Sequence, residues 1–477
     1  MKNSFNKNTI YFTIIVFLLV SISIGYATLT TVTTVTGNIT VKTNVIPLAD
    51  RLKKDLSTSY LDTSDSSQTF IVGTNPNNYV WYSGKLWRAL SINPSDKTVK
   101  LVTNETISTM GSYYTTSSSS FNSSYMKAWL TNTETDGFYG SLYNASTYIK
   151  TDATWDAGTS TTYGQKATTA VNVTSPVGLL TSYELKKTYQ WANNDQYFFT
   201  MTPASSTSVW VNGNVNTFGE FGSIQTGLAA QNGCMIRPVI VMKNTVKVYK
   251  GSGTATDPYL LYGDTASYNG TTEQLVNRYS GEYVTFSNKT WRIVSTDKTN
   301  NTIKLIMTTS SINRAYSTTA SNTFSTTATA NVGYYLNTTF YNTLTTNAKN
   351  KIVTSKWYRG PHTYGSSWKL EKCSTTACTA EATYVSAKIG LLRNSELMSG
   401  QVGNTVQSMW TITPQNSTTN KIKTVGLHGS NYEYTVTSTT ISQDSSTLYV
   451  RPALNISDTA IISGRGTKQS PWNIGYW

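Results

Sequence analysis

The chain contains few of the side chains that usually carry catalysis or hold metal ions, with two histidines and three cysteines in 477 residues. Cys373 and Cys378 lie close together in the segment EKCSTTACTAE. In an exported chain this spacing predicts a small disulfide loop, because a metal site would need further thiolate or imidazole ligands nearby. Cys234 precedes a short apolar segment and is predicted to be a buried, unreactive side chain. We therefore predict no metal site and no cofactor.

The sequence gives little support for nucleophilic or acid–base catalysis. His362 and His428 lie in polar loops, without a serine elbow or a second histidine at the spacing of known catalytic motifs. Glu184 and Glu396 recur in similar segments, and paired carboxylates can hydrolyse glycosidic bonds. Each glutamate stands at a predicted helix start, however, where a carboxylate stabilises the helix dipole. We expect no catalytic residue; a hydrolase of cell walls or glycans with scattered carboxylates is the alternative.

A polar loop is the best candidate in the sequence for ligand binding. It spans residues 204–233, and a loop at residues 415–446 follows a similar segment but differs strongly from it. A repeated scaffold with a varied loop is typical of recognition surfaces. Aromatic rings and amides are common contacts to sugars and peptides. The candidate ligand-binding residues are Trp210, Asn212, Asn214, Phe218 and Phe221.

Composition and charge limit the classes of partner. Lysine plus arginine number 38 and aspartate plus glutamate 24, a net charge of +14, yet only 13% of residues are charged, against about 25% in ordinary soluble domains. Aromatic residues make up 12% of the chain, which is too many for a disordered protein. The positive charge favours anionic partners such as wall polymers. We expect no nucleic-acid partner, because the sequence has no dense basic stretch that would follow a phosphate backbone.

The N-terminal segment predicts export. Lys2 and Lys7 precede an uncharged, largely apolar run over residues 9–27, the pattern of a signal peptide or a membrane anchor. Small residues at positions 25 and 27 fit cleavage after residue 27, so both alternatives stay open. Because lysines before such a helix stay in the cytoplasm, the chain is expected to be secreted or held on the cell membrane by one transmembrane helix, with its bulk outside. Residues 1–8 would then be cytoplasmic, and residues 28–60 an extended stalk with a short helix in ADRLKKDLSTS.

Internal repetition is the strongest pattern in the sequence. NYVWYSGKLWRALSI, from residue 78, matches EYVTFSNKTWRIVST, from residue 282, at an offset of 204. VGLLTSYEL matches IGLLRNSEL, FFTMTP matches MWTITP, and GSGTATDPY matches GRGTKQSPW. Two tandem domains are predicted, over residues 61–263 and 264–477. The residues that mark the repeat are Trp87, Arg88, Arg237 and Pro238 in the first copy and Trp291, Arg292, Arg451 and Pro452 in the second.

Each copy is predicted to be an α+β domain in which strands dominate. Alternating residues around two turns predict three antiparallel strands over residues 79–103, with Trp87 and Arg88 on opposite faces. VGLL predicts a buried strand that leads to a helix, for which Thr181 and Glu184 form a capping box. Arg393 replaces the threonine in the second copy. A turn at the TP segment, a polar loop, a strand after Arg-Pro and a glycine-rich hairpin complete each copy.

This series of segments resembles an uncharacterised domain family that is abundant, often in tandem, in exported surface proteins of low-GC Gram-positive bacteria. The resemblance covers both copies, nearly the whole chain after residue 70. It implies a surface location and a fold similar to C-type-lectin-like and formylglycine-generating-enzyme-like domains. The paired-cysteine copper site of the latter is not matched, and WANND at residues 191–195 is only faintly similar to a calcium-binding lectin motif. Fold alone does not specify function.

These patterns together predict a bacterial cell-surface protein that binds, adheres or displays, with no evident catalysis. The expected partners are the membrane, through the N-terminal helix, and an anionic wall polymer, a glycan or a surface protein. A structural component of the envelope is a further alternative. The repeated tryptophans and the arginines beside them are expected to pack in the core, with the arginines partly buried.

Overall fold

The computed structural model describes residues 45–109, 119–134, 137–192, 198–206, 208–212, 224–225, 235–264, 273–319, 321–360, 384–402, 409–414, 421–425, 431–435 and 448–475. Residues 45–477 group as one compact unit. We call residues 45–264 the N-terminal half and residues 273–475 the C-terminal half, because each contains one large sheet. The predicted anchor at residues 9–27 lies outside the described residues. Within the described ranges, no helix is both long and apolar enough to cross a membrane.

Short strands dominate the N-terminal half, as predicted. Its strands are β1 (Ile46–Pro47), β2 (Leu61–Asp65), β3 (Gln68–Ile71), β4 (Tyr79–Tyr82), β5 (Lys85–Ile92), β6 (Val99–Thr103), β7 (Ser108–Thr109), β8 (Thr154–Asp156), β9 (Asn172–Thr174), β10 (Val177–Leu179), β11 (Phe198–Pro203), β12 (Val209–Asn212), β13 (Ile224–Gln225), β14 (Met235–Ile236), β15 (Pro238–Met242), β16 (Lys247–Lys250) and β17 (Tyr259–Leu261). Its helices are α1 (Leu48–Asp55), α2 (Tyr125–Leu130), α3 (Ala145–Tyr148), α4 (Ser182–Lys187) and α5 (Tyr189–Ala192), with 3-10 turns at Thr58–Tyr60, Phe121–Ser123 and Tyr139–Ser141.

The C-terminal half is also built mainly from strands. They are β18 (Tyr283–Phe286), β19 (Lys289–Asp297), β20 (Thr302–Met307), β21 (Ile352–Val353), β22 (Ser355–Tyr358), β23 (Tyr384–Ala387), β24 (Ile389–Gly390), β25 (Met409–Pro414), β26 (Lys421–Val425), β27 (Asn431–Thr435), β28 (Ala453–Ser457), β29 (Ile461–Ser463) and β30 (Trp472–Ile474). Its helices are α6 (Val332–Tyr335), α7 (Thr346–Lys351) and α8 (Asn394–Ser399), with a 3-10 turn at Leu275–Asn277 and a π-helix at Leu336–Phe340.

The two large sheets share one strand order. The first contains β17–β4–β5–β6–β15–β10 and the second β30–β18–β19–β20–β28–β24. Neighbours within each series are antiparallel, except that β17 pairs with β4, and β30 with β18, in parallel. The predicted three-strand meander is therefore confirmed as β4, β5 and β6. Smaller sheets include β13–β12–β11–β14–β7 and β25–β26–β27.

The correspondence between the sheets extends to their irregularities. The register between β5 and β6 shifts between Ala89 and Ser91, and the register between β19 and β20 shifts between Ile293 and Ser295. Both shifts obey the sequence offset of 204. A β-bulge places one extra residue in a strand and increases its twist. Strict alternation of side chains along β5 is therefore wrong beyond the bulge, and the strand is buried from Trp87 to Ile92.

The repeated tryptophans lie in the two cores. Trp87 and Trp291 are fully buried. The indole N–H of Trp87 donates to the Tyr82 carbonyl at 3.0 Å, and that of Trp291 donates to the Phe286 carbonyl at 2.9 Å. Each indole thus satisfies its only polar group on the preceding strand. The prediction that these residues pack in the core is confirmed.

The beginning of the N-terminal half corrects the predicted stalk. Ile46 pairs with Val248 in the large sheet, and Leu48 and Leu52 of α1 are buried in the core. The helix predicted in this segment is confirmed, but residues 46–60 belong to the folded unit and not to an extended stalk over residues 28–60. The apolar side chains four residues apart on α1 explain the difference, because they cover one end of the core. Residues 28–44 lie outside the described residues.

Helix α4 begins with the predicted capping box. The Thr181 hydroxyl accepts from the Glu184 amide at 3.1 Å, and Glu184 Oε2 accepts from the Thr181 amide at 2.9 Å. Glu396 accepts from the Arg393 amide at 2.9 Å in the same way at α8. Because an arginine side chain has no acceptor, only the glutamate half of the box is common to both helices.

Candidate functional site

A cavity of about 670 Å³ lies between the two halves. Its walls come from the β4–β5 turn and the segment after β6 in the N-terminal half, and from residues 280–283, 401 and 465–470 in the C-terminal half. This volume is within the range of about 300 to 1,000 Å³ that is typical of small-ligand sites. The sequence repeats do not indicate such a cavity, because it forms where one half faces the other.

The halves approach each other closely at the β4–β5 turn. Ser83 and Gly84 have positive φ angles of 52° and 68°, and Ser287 and Asn288, their counterparts between β18 and β19, have φ angles of 51° and 57°. Asparagine therefore satisfies the left-handed backbone of this turn in the C-terminal half. A Cβ at residue 84, however, would clash with Glu282 Oε1 and lie 2.9 Å from the ring of Tyr279. Glycine is required here because the C-terminal half leaves no room for a side chain.

The variant Gly84→Asn tests this contact. The backbone geometry suits asparagine, so we expect any loss of stability to come from the clash with Glu282 and Tyr279, about 1 to 3 kcal/mol for a forced overpacking. Urea denaturation followed by circular dichroism measures it. The matched control is Asn288→Gly, which removes a side chain at the exposed counterpart and should change stability by less than about 1 kcal/mol. Equal effects of the two variants would contradict the close approach.

Lys85 is the most unusual residue of the cavity wall. Its Nζ is buried and has no hydrogen-bond partner in the part of the chain that the structure describes. The Nζ lies 6.0 Å from the ring centroid of Tyr279. Burial lowers the pKa of Lys85 to about 8, with the charge of Arg292 acting in the same direction and the charges of Glu282 and Asp264 opposing it. An uncompensated ammonium costs stability unless something in the cavity accepts its hydrogen bonds.

Two further polar groups of the same wall also lack partners. Gln401 is buried, and its amide nitrogen donates to the Ser141 hydroxyl at 3.0 Å, but its Oε1 accepts no hydrogen bond from any residue that the structure describes. Thr103 Oγ1, at the end of β6, is buried without a partner as well. Of the eight such side-chain atoms found among the described residues, three thus belong to lining residues of one cavity. Buried polar groups normally have partners, so three such exceptions at one cavity wall make it the candidate site of the described residues.

The arginines of the wall are already engaged by the protein. Arg292 donates from Nε to the Gly281 carbonyl at 2.9 Å and from Nη2 to the Gln401 carbonyl at 3.0 Å. Arg465 donates from Nη1 to the Thr256 carbonyl at 3.0 Å, which joins the two halves. Together with Lys85 and Lys468 they outnumber Glu105, the carboxylate that also lines the cavity, and the wall is cationic on balance. The arginines therefore shape the wall, while Lys85 offers a charge that no protein acceptor uses.

Lys85→Met is expected to raise stability at neutral pH. With a pKa of about 8 in the folded protein and about 10.5 in the unfolded chain, folding carries the full cost of the buried ammonium below pH 8. That cost disappears as the pH rises from 8 to 10.5. At about 1.4 kcal/mol per pKa unit, reduced because the side chain is partly exposed, we expect a gain of about 2 kcal/mol at pH 7.

Denaturation of both proteins between pH 7 and pH 10.5 measures this gain, which should shrink as the pH rises. Lys289→Met is the control, since Lys289 occupies the equivalent position in the second turn and should change stability by about 0.5 kcal/mol or less. A gain that does not depend on pH would contradict the role of the ammonium.

The other marker residues of the repeat serve the scaffold. The Nε of Arg237 donates to the Thr103 carbonyl at 2.8 Å, and the Nε of Arg451 donates to the Met307 carbonyl at 2.9 Å. Burial lowers the pKa of both arginines. The adjacent prolines stand at the start of β15 and just before β28: Pro238 and Pro452. The two arginines thus tie the start of one strand to the end of another in each half.

Arg88 and Arg292 are buried to a greater degree than predicted, with 5% and 9% of their surface exposed. The guanidinium of Arg88 lies 4.0 Å from the ring centroid of Tyr79 and 4.5 Å from that of Trp191. That of Arg292 lies 5.0 Å from the ring of Tyr283. These cation–π contacts fix the two tyrosines on the cavity wall.

The two recurring glutamates have structural partners. Glu184 accepts from Lys100 Nζ at 2.5 Å and Glu396 from Lys304 Nζ at 2.6 Å. The lysines stack over Trp155 and Trp357 at 5.1 and 5.0 Å. Burial opposes ionisation of Glu396, but the Lys304 ammonium and the Arg393 amide more than offset it, so its pKa is lowered. A carboxylate held ionised in this way is unsuited to donate a proton as a general acid.

The first predicted ligand-binding residues belong to the core. Trp210 lies in β12 with 6% of its surface exposed; its indole N–H donates to the Ser160 carbonyl at 2.8 Å, and Tyr163 packs edge-on against it at 5.4 Å. Asn212 is 1% exposed. The expectation of an exposed ring at Trp210 is therefore wrong, because the TP segment and Val209–Asn212 form a strand pair and not a turn with a free loop.

The remaining candidates lie outside the described residues: Asn214, Phe218, Phe221, Cys234, Cys373, Cys378, His362 and His428. Ligand binding by the first three of them and the disulfide between Cys373 and Cys378 stay predictions. Among the residues that are described, no group of three histidine, cysteine, aspartate or glutamate side chains is placed to hold a metal ion.

No protein-family model, no curated protein and no solved structure matches the chain.

Proposed function

We propose that the chain consists of two tandem copies of one α+β domain. The shared strand order, the parallel closing strand and the bulge at the same offset support this. The hydrogen bonds of Trp87 and Trp291 support it at the level of single atoms. Membership of the surface-domain family and a C-type-lectin-like fold are the corresponding proposals from sequence.

We infer that the protein binds a ligand outside the bacterial cell and has no catalytic role. One observation carries this: three residues that line the cavity between the halves each bury a polar side-chain atom with no partner among the described residues. Proteins rarely bury such atoms without compensation, because each costs about 1 to 3 kcal/mol. A bound molecule that supplies the missing partners repays that cost. Lys2, Lys7 and the apolar run after them support export, either with a membrane anchor or in secreted form.

Binding of the full chain to isolated walls of a low-GC Gram-positive bacterium tests this function. Binding by general positive charge weakens with salt, whereas binding in a cavity persists. We expect retention at high salt, and its loss in Thr256→Trp, which places a large ring on the exposed rim of the cavity. Thr299→Trp, at an exposed turn residue of β19–β20, is the control. Binding that vanishes with salt, or that both tryptophan variants retain, would reject the cavity as the binding site.

A further inference from the structure

The cavity wall specifies the chemistry of its ligand more closely than the proposed function does, and this inference rests on that function. We propose that the cavity binds a sugar that carries a carboxylate, with the Lys85 ammonium paired to the carboxylate and the Gln401 amide oxygen accepting from a sugar hydroxyl. The supporting groups come from both halves, so ligand binding bridges the two sheets.

The buried ammonium of Lys85 sets the charge of the ligand. Lys85 Nζ is buried, lines the cavity and has no acceptor among the described residues. A buried ammonium is stabilised most effectively by an anion at hydrogen-bond distance, since charge-assisted hydrogen bonds are about twice as strong as neutral ones. A neutral ligand would leave the ammonium without a counter-charge at hydrogen-bond distance. The ligand therefore carries a negative group that reaches Lys85.

The donors and charges of the cavity wall favour a carboxylate over a phosphate. Phosphate presents three acceptor oxygens and close to two charges, which call for several free donors. Arg292 and Arg465 already donate to the carbonyls of Gly281, Gln401 and Thr256. Glu282 is buried nearby, and its Oε1 occupies the space that a side chain at Gly84, the residue before Lys85, would take. Its negative charge favours the Lys85 ammonium. Lys468 is exposed, so Lys85 is the buried ammonium of the wall, and a single negative charge with two oxygens fits it better than a dianion does.

The unpaired amide oxygen of Gln401 calls for hydroxyl groups on the ligand. The Gln401 Oε1 needs a donor, and a carboxylate cannot supply one. Because the amide nitrogen of Gln401 is held by the Ser141 hydroxyl, the oxygen has a fixed position. Thr103 Oγ1 can donate or accept. A sugar hydroxyl donates and accepts at once, so a sugar acid carries the kinds of group that these three atoms lack as partners.

The size and shape of the cavity suit a sugar. A cavity of about 670 Å³ admits more than a small carboxylic acid such as acetate. Tyr79 and Tyr283 stand on its wall, and their ring planes are fixed by the guanidinium groups of Arg88 and Arg292. Aromatic rings held in this way combine an apolar face with a polar tip, which suits the mixed C–H and O–H surface of a sugar.

The test uses the full chain in a mild detergent, with calorimetric titration against D-glucuronate, D-glucose, acetate and inorganic phosphate up to about 10 mM. We expect D-glucuronate to bind. The other three compounds should bind at least about tenfold more weakly, or not at all. Glucose lacks the charge, acetate lacks the hydroxyls, and phosphate has the wrong charge and geometry. Lys85→Met should weaken glucuronate binding about tenfold or more, the worth of a charged hydrogen bond. Lys289→Met should leave it unchanged.

The outcomes separate the ligand class from the general function. Equal binding of glucuronate by the wild type and Lys85→Met, or tighter binding of phosphate, would overturn the inference. Retention on walls that Thr256→Trp abolishes, without any binding of glucuronate, would overturn the sugar acid while leaving the proposed function intact. Failure in both assays would reject the function as well. Circular dichroism of each variant confirms that it is folded, and Lys85→Met is expected to be more stable than the wild type.

Discussion

Glu282→Gln is expected to lower the free energy of unfolding by about 3 to 5 kcal/mol, the cost of breaking a buried ion pair. Glu282 accepts from Arg278 Nε at 3.1 Å, from Arg278 Nη2 at 3.0 Å and from the Trp472 indole N–H at 2.7 Å. The side chains of Glu282 and Arg278 are 0% and 1% exposed. Neutral glutamine would leave the guanidinium without its buried counter-charge and would place an amide group among hydrogen-bond donors. Urea denaturation monitored by circular dichroism measures the loss.

Glu273→Gln is the matched control, because Glu273 also pairs with Arg278, at 2.7 Å, but is 37% exposed. Solvent screens this pair, so its loss should cost less than about 1 kcal/mol. A loss as large as that of Glu282→Gln would show that burial does not set the strength of these pairs. Glu282→Gln should also ease deprotonation of Lys85, since it removes a charge that favours the ammonium.

Trp291→Ala is expected to lower the free energy of unfolding by about 3 to 5 kcal/mol, the usual cost of emptying a fully buried aromatic site. Trp291 packs edge-on against Phe286 at 6.2 Å within the core of the C-terminal half. Hydrogen exchange should show the greatest loss of protection in β18, β19 and β20. Trp87→Ala should produce an equal loss, centred on β4, β5 and β6.

Tyr262→Ala serves as the control for both tryptophan variants, because the Tyr262 side chain is 63% exposed, and we expect a change of about 0.5 kcal/mol or less. Loss of protection spread evenly over both sheets in either tryptophan variant would contradict two tandem domains with separate cores.

The repeated segments made much of the scaffold predictable. A tryptophan followed by arginine in two alternating strands, and a glutamate three residues after a cap position, are local patterns that physical chemistry ties to strands and helix starts. The bulge after Ala89 was not predictable, since no glycine or other local signal marks it. The prediction of a loop at Trp210 is wrong because Val209–Asn212 is rich in β-branched and aromatic residues, which favour a strand, although its surroundings are polar.

The cavity could not be predicted, because its key residues lie far apart in sequence and have ordinary local contexts. Gln401 comes to the same cavity wall as Lys85 and Thr103 only when the two halves dock. One signal was present in the sequence: Gly84 stands where the second copy has Asn288, and Asn78 stands where it has Glu282. Two of these differing residues, Gly84 and Glu282, face each other where the halves meet.

The parallel pairing of β17 with β4, and of β30 with β18, places the closing strand of each half beside one of its earliest strands. A folding unit whose entry and exit lie side by side can be copied head to tail without disturbing its interior. Unequal recombination can therefore add or delete such a cassette in the gene, and each junction between neighbouring cassettes supplies a new surface on which selection can act. Ligand sites in this architecture would then multiply with the number of junctions and not with the number of cassettes.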